Sequence, residues 1–334
     1  DPAPFQAEAD ILGDAAPGQE ARLLEHDPGA PRPLHSRRTL DPAAIGLIEP
    51  GEPRLQAYLY LLPALVVYAT FLLVPLGRAA NISFFDWDGF SPFSEAKFVG
   101  TRWYTEAATI YPAFWPAIQH NGIWRLVLFG IATPIGLLLA VLLDREASHT
   151  KFYQTSLYLP VVLSMALIGF IWQLMFSRDQ GLLNALLGTT IDWYGDPNIN
   201  LWSALIATSW RHVGYVMLLY LAGLKGVDVA LKEAARIDGA SEVQTFFRVV
   251  FPVMFPINVV VLVITFIDSL RAFDLVWVIN RGRNGLELLA TEVTRNIVGE
   301  AQRIGFGSAL ATIMLVISTV FIIIYLRIVM KEDR

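Results

Sequence analysis

Six polar side chains sit in stretches of the chain that are otherwise apolar, and their types and spacing could do chemistry. In 201–224, Arg211 and Tyr215 stand four residues apart, on one face if the run is helical, with His212 beside Arg211. At the end of a second apolar stretch, Thr265, Asp268 and Ser269 recur with Ala272 at helical spacing. Guanidinium, carboxylate, hydroxyl and phenol groups together can donate and accept several hydrogen bonds to a polar ligand. An arginine at mid-membrane depth costs about 2.5–3.5 kcal/mol on insertion scales, so Arg211 is expected to face an aqueous cavity or a partner, not lipid. The pattern predicts a midplane substrate site built from Arg211, His212, Tyr215, Thr265, Asp268 and Ser269. The alternative is that Arg211 pairs with Asp268 and merely ties two helices together. His212 taken alone reads as a hydrogen-bonded packing residue, because no second ligand stands at metal spacing, and no metal is expected. The five histidines assemble no nucleophile–base constellation, so no catalytic residue is expected either.

Those positions need elements to hold them. The chain has 334 residues, of which 54% are apolar and 16% charged, with a mean hydropathy of +0.49. A soluble protein carries about 25% charge. The runs 55–77, 126–143, 152–177, 249–267 and 304–326 contain no charge, and each reaches or approaches the roughly 20 residues a helix needs to cross a bilayer. The run 201–224 is equally apolar apart from Arg211 and His212. All six are continuously apolar and do not alternate, which selects helices over barrel strands. The expected fold is an all-α membrane protein with six transmembrane helices in 54–334. Residues 1–53 hold ten Asp/Glu against four Arg. That stretch is also rich in proline and is expected to be a disordered acidic tail, since it cannot bury enough surface to offset its ordering entropy. Residues 54–334 offer no basic surface for nucleic acid.

Lysine and arginine placement orients the chain. Segments 144–151, 225–248 and 327–334 hold two, four and three of them, against two, one and five in the much longer 81–122, 178–200 and 268–303. This density contrast predicts both termini in the cytoplasm. Trp115, Trp124, Trp193 and Trp202 fall near span boundaries and are expected to anchor there. Gly305-Phe306-Gly307 reads as a site of close helix packing. Cysteine is absent, which excludes disulfides and thiol catalysis. No G-x-x-x-x-G-K-[ST] string occurs, so the chain itself is expected to bind no nucleotide and no cofactor.

The connection 225–248 carries the remaining signal. Lys232-Glu233-Ala234-Ala235-Arg236-Ile237-Asp238-Gly239-Ala240-Ser241 runs on to Val249-Val250-Phe251-Pro252. Asp238-Gly239 stops a helix, glycine accepting the left-handed conformation. Ser241 then caps a second helix whose apolar face includes Val243, Phe246, Phe247 and Val250. Pro252 marks the entry to the fifth span. Ala234, Ala235, Gly239 and Ala240 are small enough to let another protein's backbone approach.

This string resembles the EAA loop of permease subunits in binding-protein-dependent ABC importers. Glu233-Ala234-Ala235, Gly239, Val249 and Phe251-Pro252 keep that motif's spacing, with Val and Phe standing for Ile and Leu. The resemblance implies a cytoplasmic coupling helix that docks on an ATPase subunit, with Glu233 pairing to a basic group there and Gly239 breaking the helix. Ala234, Ala235, Asp238 and Ala240 lie within that docking segment. Other stretches resemble the carbohydrate branch: Ser83 to Asp88, Phe98-Val99-Gly100, Trp210 ahead of Gly223-Leu224, and Phe273-Asp274. Arg281-Gly282-Arg283 departs from the Gly-Gly-Pro turn common there. The likeness spans roughly 55–330. It implies half of a heterodimeric pore in the bacterial inner membrane, with a second homologous permease, two ATPase subunits carrying ATP and Mg, and an extracytoplasmic solute-binding protein. The implied substrate is a sugar or oligosaccharide, although Arg211, His212 and Arg271 would also suit an acidic glycan. A self-sufficient secondary transporter would show broken helices in two repeated halves. A membrane enzyme for lipid-linked sugars would use Asp268, Asp274 or His212. Neither needs the docking segment.

Overall fold

The computed structural model describes residues 55–144, 150–299 and 302–332, so the predicted acidic tail lies outside the described residues. The chain divides into two units, 1–67 and 68–334. Helix α1, Leu55–Tyr68, begins in the first. The second opens with a π-helical turn, Ala69–Leu73, and α2, Val74–Ile82. Strands β1 (Phe85–Asp86) and β2 (Lys97–Phe98) pair antiparallel, with Phe85 opposite Phe98. After α3 (Arg102–Thr109), α4 (Phe114–Val127) continues through a second π-helical turn, Leu128–Ala132, into α5 (Thr133–Asp144).

By length and composition, Tyr60–Ile82, Phe114–Asp144 and Ile304–Tyr325 can each cross a membrane alone, and the total reaches six only if each of three bent helix pairs counts as one span. The expected six spans are met only on the second count, in which three of them are bent. The run 152–177 is not straight: α6 (Thr150–Val162) and α7 (Met165–Met175) meet at 103°. The physical cause is local. Ser164 is extended and its Oγ accepts from Leu167 N at 3.2 Å, which starts a new helix inside an apolar run. Hydropathy cannot register that break.

The short α8 (Leu182–Leu187) precedes the 26-residue α9, Asn200–Lys225. Helix α10 (Val229–Ile237) leaves α9 at 74°. Next come α11 (Glu242–Thr245), a third π-helical turn at Phe246–Val250, and α12 (Phe251–Val253). Helix α13, Phe255–Leu270, turns away from them by 75° at Met254. The span therefore begins at Phe255, with Pro256 in its first turn, and Pro252 belongs to the preceding element. The chain ends through α14 (Asp274–Asn280), α15 (Leu289–Ile297) and α16 (Ile304–Glu332).

Helix α9 is the axis of the packing. Ala204, Ala207 and Val216 are fully buried on it. A Cβ on Gly214 would strike the Leu157 carbonyl, so glycine there lets α6 approach backbone to backbone. Gly305 plays the same part for α16, where a Cβ would meet the Phe85 carbonyl, in keeping with the close packing expected of Gly305-Phe306-Gly307. The tryptophans divide. Trp115 and Trp202 are exposed, whereas Trp124 is a core residue at 1% exposure. Trp193 is half-buried and donates its indole N–H to Asn184 Oδ1 at 2.8 Å. Trp124 is therefore an internal residue and not a boundary anchor, because neighbouring helices close over its ring.

Candidate functional site

A cavity of about 220 Å³ opens between the π-helical turn after α4, the start of α7, the middle of α9 and the segment joining α13 to α14. Helical period brings Thr208, Arg211 and His212 to one side of α9. Asp268, Arg271 and Asp274 face them, and Trp124 and Phe273 supply aromatic wall. The predicted alternative of an Arg211–Asp268 ion pair is not realised. Among the described residues, none of Arg211, Asp268, Arg271 and Asp274 forms an ion pair. Asp268 lies within Coulombic reach of both arginines. The Nε of Arg211, Nε1 of Trp124 and Oγ1 of Thr208, all on residues lining this cavity, are buried without a hydrogen-bond partner.

The predicted polar set is only partly assembled. Arg211, His212 and Asp268 line the cavity, and Tyr215, Thr265 and Ser269 do not. Tyr215 stands one turn, about 6 Å, further along α9. Thr265 is fully buried and its Oγ1 lies 3.3 Å from His212 Nε2, which also lies 3.4 Å from Thr133 Oγ1. Two hydroxyls thus hold one nitrogen of the imidazole, while the ring also lines the cavity. Ser269 donates to the Phe266 carbonyl at 2.7 Å and accepts from Arg125 Nε at 3.4 Å. Its own carbonyl accepts from Asn121 Nδ2 at 3.3 Å, while Asn121 Oδ1 accepts from Leu289 N at 2.9 Å. Asn121 therefore clamps the end of α13 to the start of α15. Sequence reasoning missed Thr208, Asn121 and Arg125, since a lone polar residue in a helix carries no positional signal until its neighbours are known.

The 225–248 connection forms the two helices expected of it. Asp228 caps α10 by accepting from Ala230 N at 2.9 Å. Gly239 has φ +79°, and the bonds Gly239 N to Arg236 O and Ala240 N to Ala235 O, both 3.0 Å, close a Schellman motif. Ser241 and Gln244 form a reciprocal capping box at the start of α11. Ala235 is buried, and Lys232 Nζ reaches Asp144 Oδ2 at 3.3 Å, tying α10 to the end of α5. Glu233, Ala234, Arg236, Asp238 and Gly239 are exposed. Ile237 is 86% exposed, an apolar side chain with nothing over it among the described residues.

A third cluster shows what this fold does with charges it encloses. The Glu292 side chain is fully buried; it receives a hydrogen bond from Tyr111 Oη at 2.5 Å and an ion pair from Arg295 Nη1 at 2.9 Å. Arg295 also donates to the carbonyls of Arg281 and Gly282, holding the left-handed turn at those two residues. Burial raises the Glu292 carboxyl above its ordinary value. Burial, reinforced by the Glu292 contact, pushes the Tyr111 phenol up to about 12.

Residues 132–331 match the family model described as the binding-protein-dependent transport system inner membrane component. A probable ABC transporter permease of Pyrococcus horikoshii is 32% identical over 80% of this chain and 93% of its own length. A probable permease of a starch degradation products transport system from Thermoanaerobacterium thermosulfurigenes is 29% identical over 83% and 94%. Among solved structures, a chain of a bacterial ABC transporter that imports the acidic polysaccharide alginate superposes with a TM-score of 0.72. It is 20% identical and covers 84% of this chain and 97% of that one.

Proposed function

The chain belongs to the family of binding-protein-dependent transport system inner membrane components, and from that premise we propose that it is one permease half of an ATP-driven importer for a sugar or oligosaccharide. The observation that carries this reading is the exposed α10–α11 element. It leaves the end of α9 and leads into α13, the two helices that also wall the charged cavity. A force applied at Glu233 and Ile237 would therefore be felt where a substrate would sit. In this reading the element lies on the cytoplasmic side with both termini, and ATP and Mg are held by two partner ATPase subunits. A second, homologous permease supplies the other wall of the path, and an extracytoplasmic binding protein delivers the substrate. The starch-product permease among its relatives supports a carbohydrate cargo.

The test is uptake into proteoliposomes holding this chain with its companion subunits. Accumulation of labelled oligosaccharide that requires both ATP and the binding protein is the expected result. Uptake by this chain alone, driven by an ion gradient, would mean a secondary transporter. Conversion of a lipid-linked sugar without transport would mean an enzyme.

A further inference from the structure

The cavity between α9 and α13 presents two guanidinium groups, Arg211 and Arg271, and two carboxylates, Asp268 and Asp274. Opposite charges brought to one cavity would ordinarily satisfy one another. Here none of the four side chains makes an ion pair or a hydrogen bond among the described residues. Asp268, Arg271 and Asp274 are exposed, so these donors and acceptors are open to solvent or to a ligand, and their formal charge sums to zero. A site for an anion keeps an excess of cation; this one is lined by two carboxylates as well as two arginines.

Resting on the importer reading, we propose that the cavity takes a single uncharged sugar ring, and that Asp268 and Asp274 are specificity residues that reject anionic glycans. Neutral hydroxyls can donate to Asp268 and Asp274 while accepting from Arg211 and Arg271, so vicinal hydroxyl pairs satisfy both kinds of group at once. A uronate carboxylate satisfies the arginines and faces Asp268 as a like charge closer than a Debye length, so salt does not abolish the repulsion. Trp124 and Phe273 offer apolar wall for the ring's C–H face. The volume, about 220 Å³, is below the roughly 300–1,000 Å³ of pockets that enclose a drug-sized ligand, which fits one ring of an oligosaccharide with the remainder outside this chain.

The experiment is calorimetric titration of the purified whole complex, without its binding protein so that delivery does not filter the ligands. Maltotriose, cellotriose, xylotriose and raffinose are compared with trigalacturonate, trimannuronate and the zwitterion glycine betaine. Binding of at least one neutral sugar, with both uronates at least tenfold weaker, is the expected result. In D268N the neutral sugar should weaken about tenfold through loss of a charged hydrogen-bond acceptor, and uronate binding should rise about tenfold; D274N should shift the same ratio in the same direction. Uronate or betaine binding as tight as any neutral sugar in the wild-type complex would overturn the proposal. So would an unchanged ratio in both variants, or an absence of neutral-sugar binding. Stimulation of ATPase activity by the binding protein is measured on the same preparation. If it persists while neutral binding fails, the specificity inference falls and the importer reading stands; if it is absent too, both fall.

Discussion

Glu292 and Asp268 are carboxylates placed near helix ends of one fold, and they are treated in opposite ways. Glu292 is fully buried, hydrogen-bonded by Tyr111 and paired with Arg295. Asp268 opens onto a cavity with two arginines in Coulombic reach and forms an ion pair with neither. A chain can therefore spend charge in two ways. Where the charge holds a turn in place, Tyr111 and Arg295 meet it from within the protein. At the cavity, the protein leaves the charge without an ion-pair partner.

The sharpest way to break this contrast is to remove one partner from each cluster. Glu292→Ala leaves the Arg295 guanidinium without its carboxylate and should cost about 3 kcal/mol, seen as a lower thermal midpoint of the purified complex. Arg211→Gln removes a charge that forms no ion pair among the described residues. It should leave that midpoint within about 0.5 kcal/mol of wild type while weakening sugar binding about tenfold, by calorimetry. Equal destabilisation by the two substitutions would erase the distinction.

A smaller effect sharpens it. The raised carboxyl of Glu292 keeps its proton in the folded state after the unfolded chain has released it near 4.5. Stability is thus greatest below that value and falls as pH rises through the folded one. Glu292→Gln has no proton to lose, and its thermal midpoint should decline less across that range. The smallest expected effect is at the half-exposed pair of Lys232 and Asp144. Asp144→Asn should cost no more than about 1 kcal/mol in stability, yet lower the ATPase stimulation by freeing α10 from α5.

Parts of this were legible in the sequence for physical reasons. The α10–α11 element was, because Asp238-Gly239 and Ser241 are local signals that act within a few residues and need no distant partner. The apolar runs located the spans for the same reason. The break at Ser164 was not, because one capping hydroxyl does not lower the hydropathy of its run. Nor was the division of the cavity set. Tyr215, Thr265 and Ser269 share helical faces with Arg211 and Asp268, but which of them meets open space is decided by α4, the adjoining α5 and α15, whose Asn121, Arg125 and Thr133 take up Ser269, His212 and their neighbours. Trp124 shows the same limit: its sequence position suggested a boundary, and packing made it core.

The central claim is that the exposed α10–α11 element couples an external ATPase to the cavity. The direct measurement is ATPase activity of the reconstituted complex with ligand-loaded binding protein, wild type beside Glu233→Ala. The account predicts that the variant assembles and binds sugar normally while its stimulation falls at least about tenfold, the loss of one charge-assisted contact. Wild-type stimulation in a normally assembled Glu233→Ala complex would contradict it.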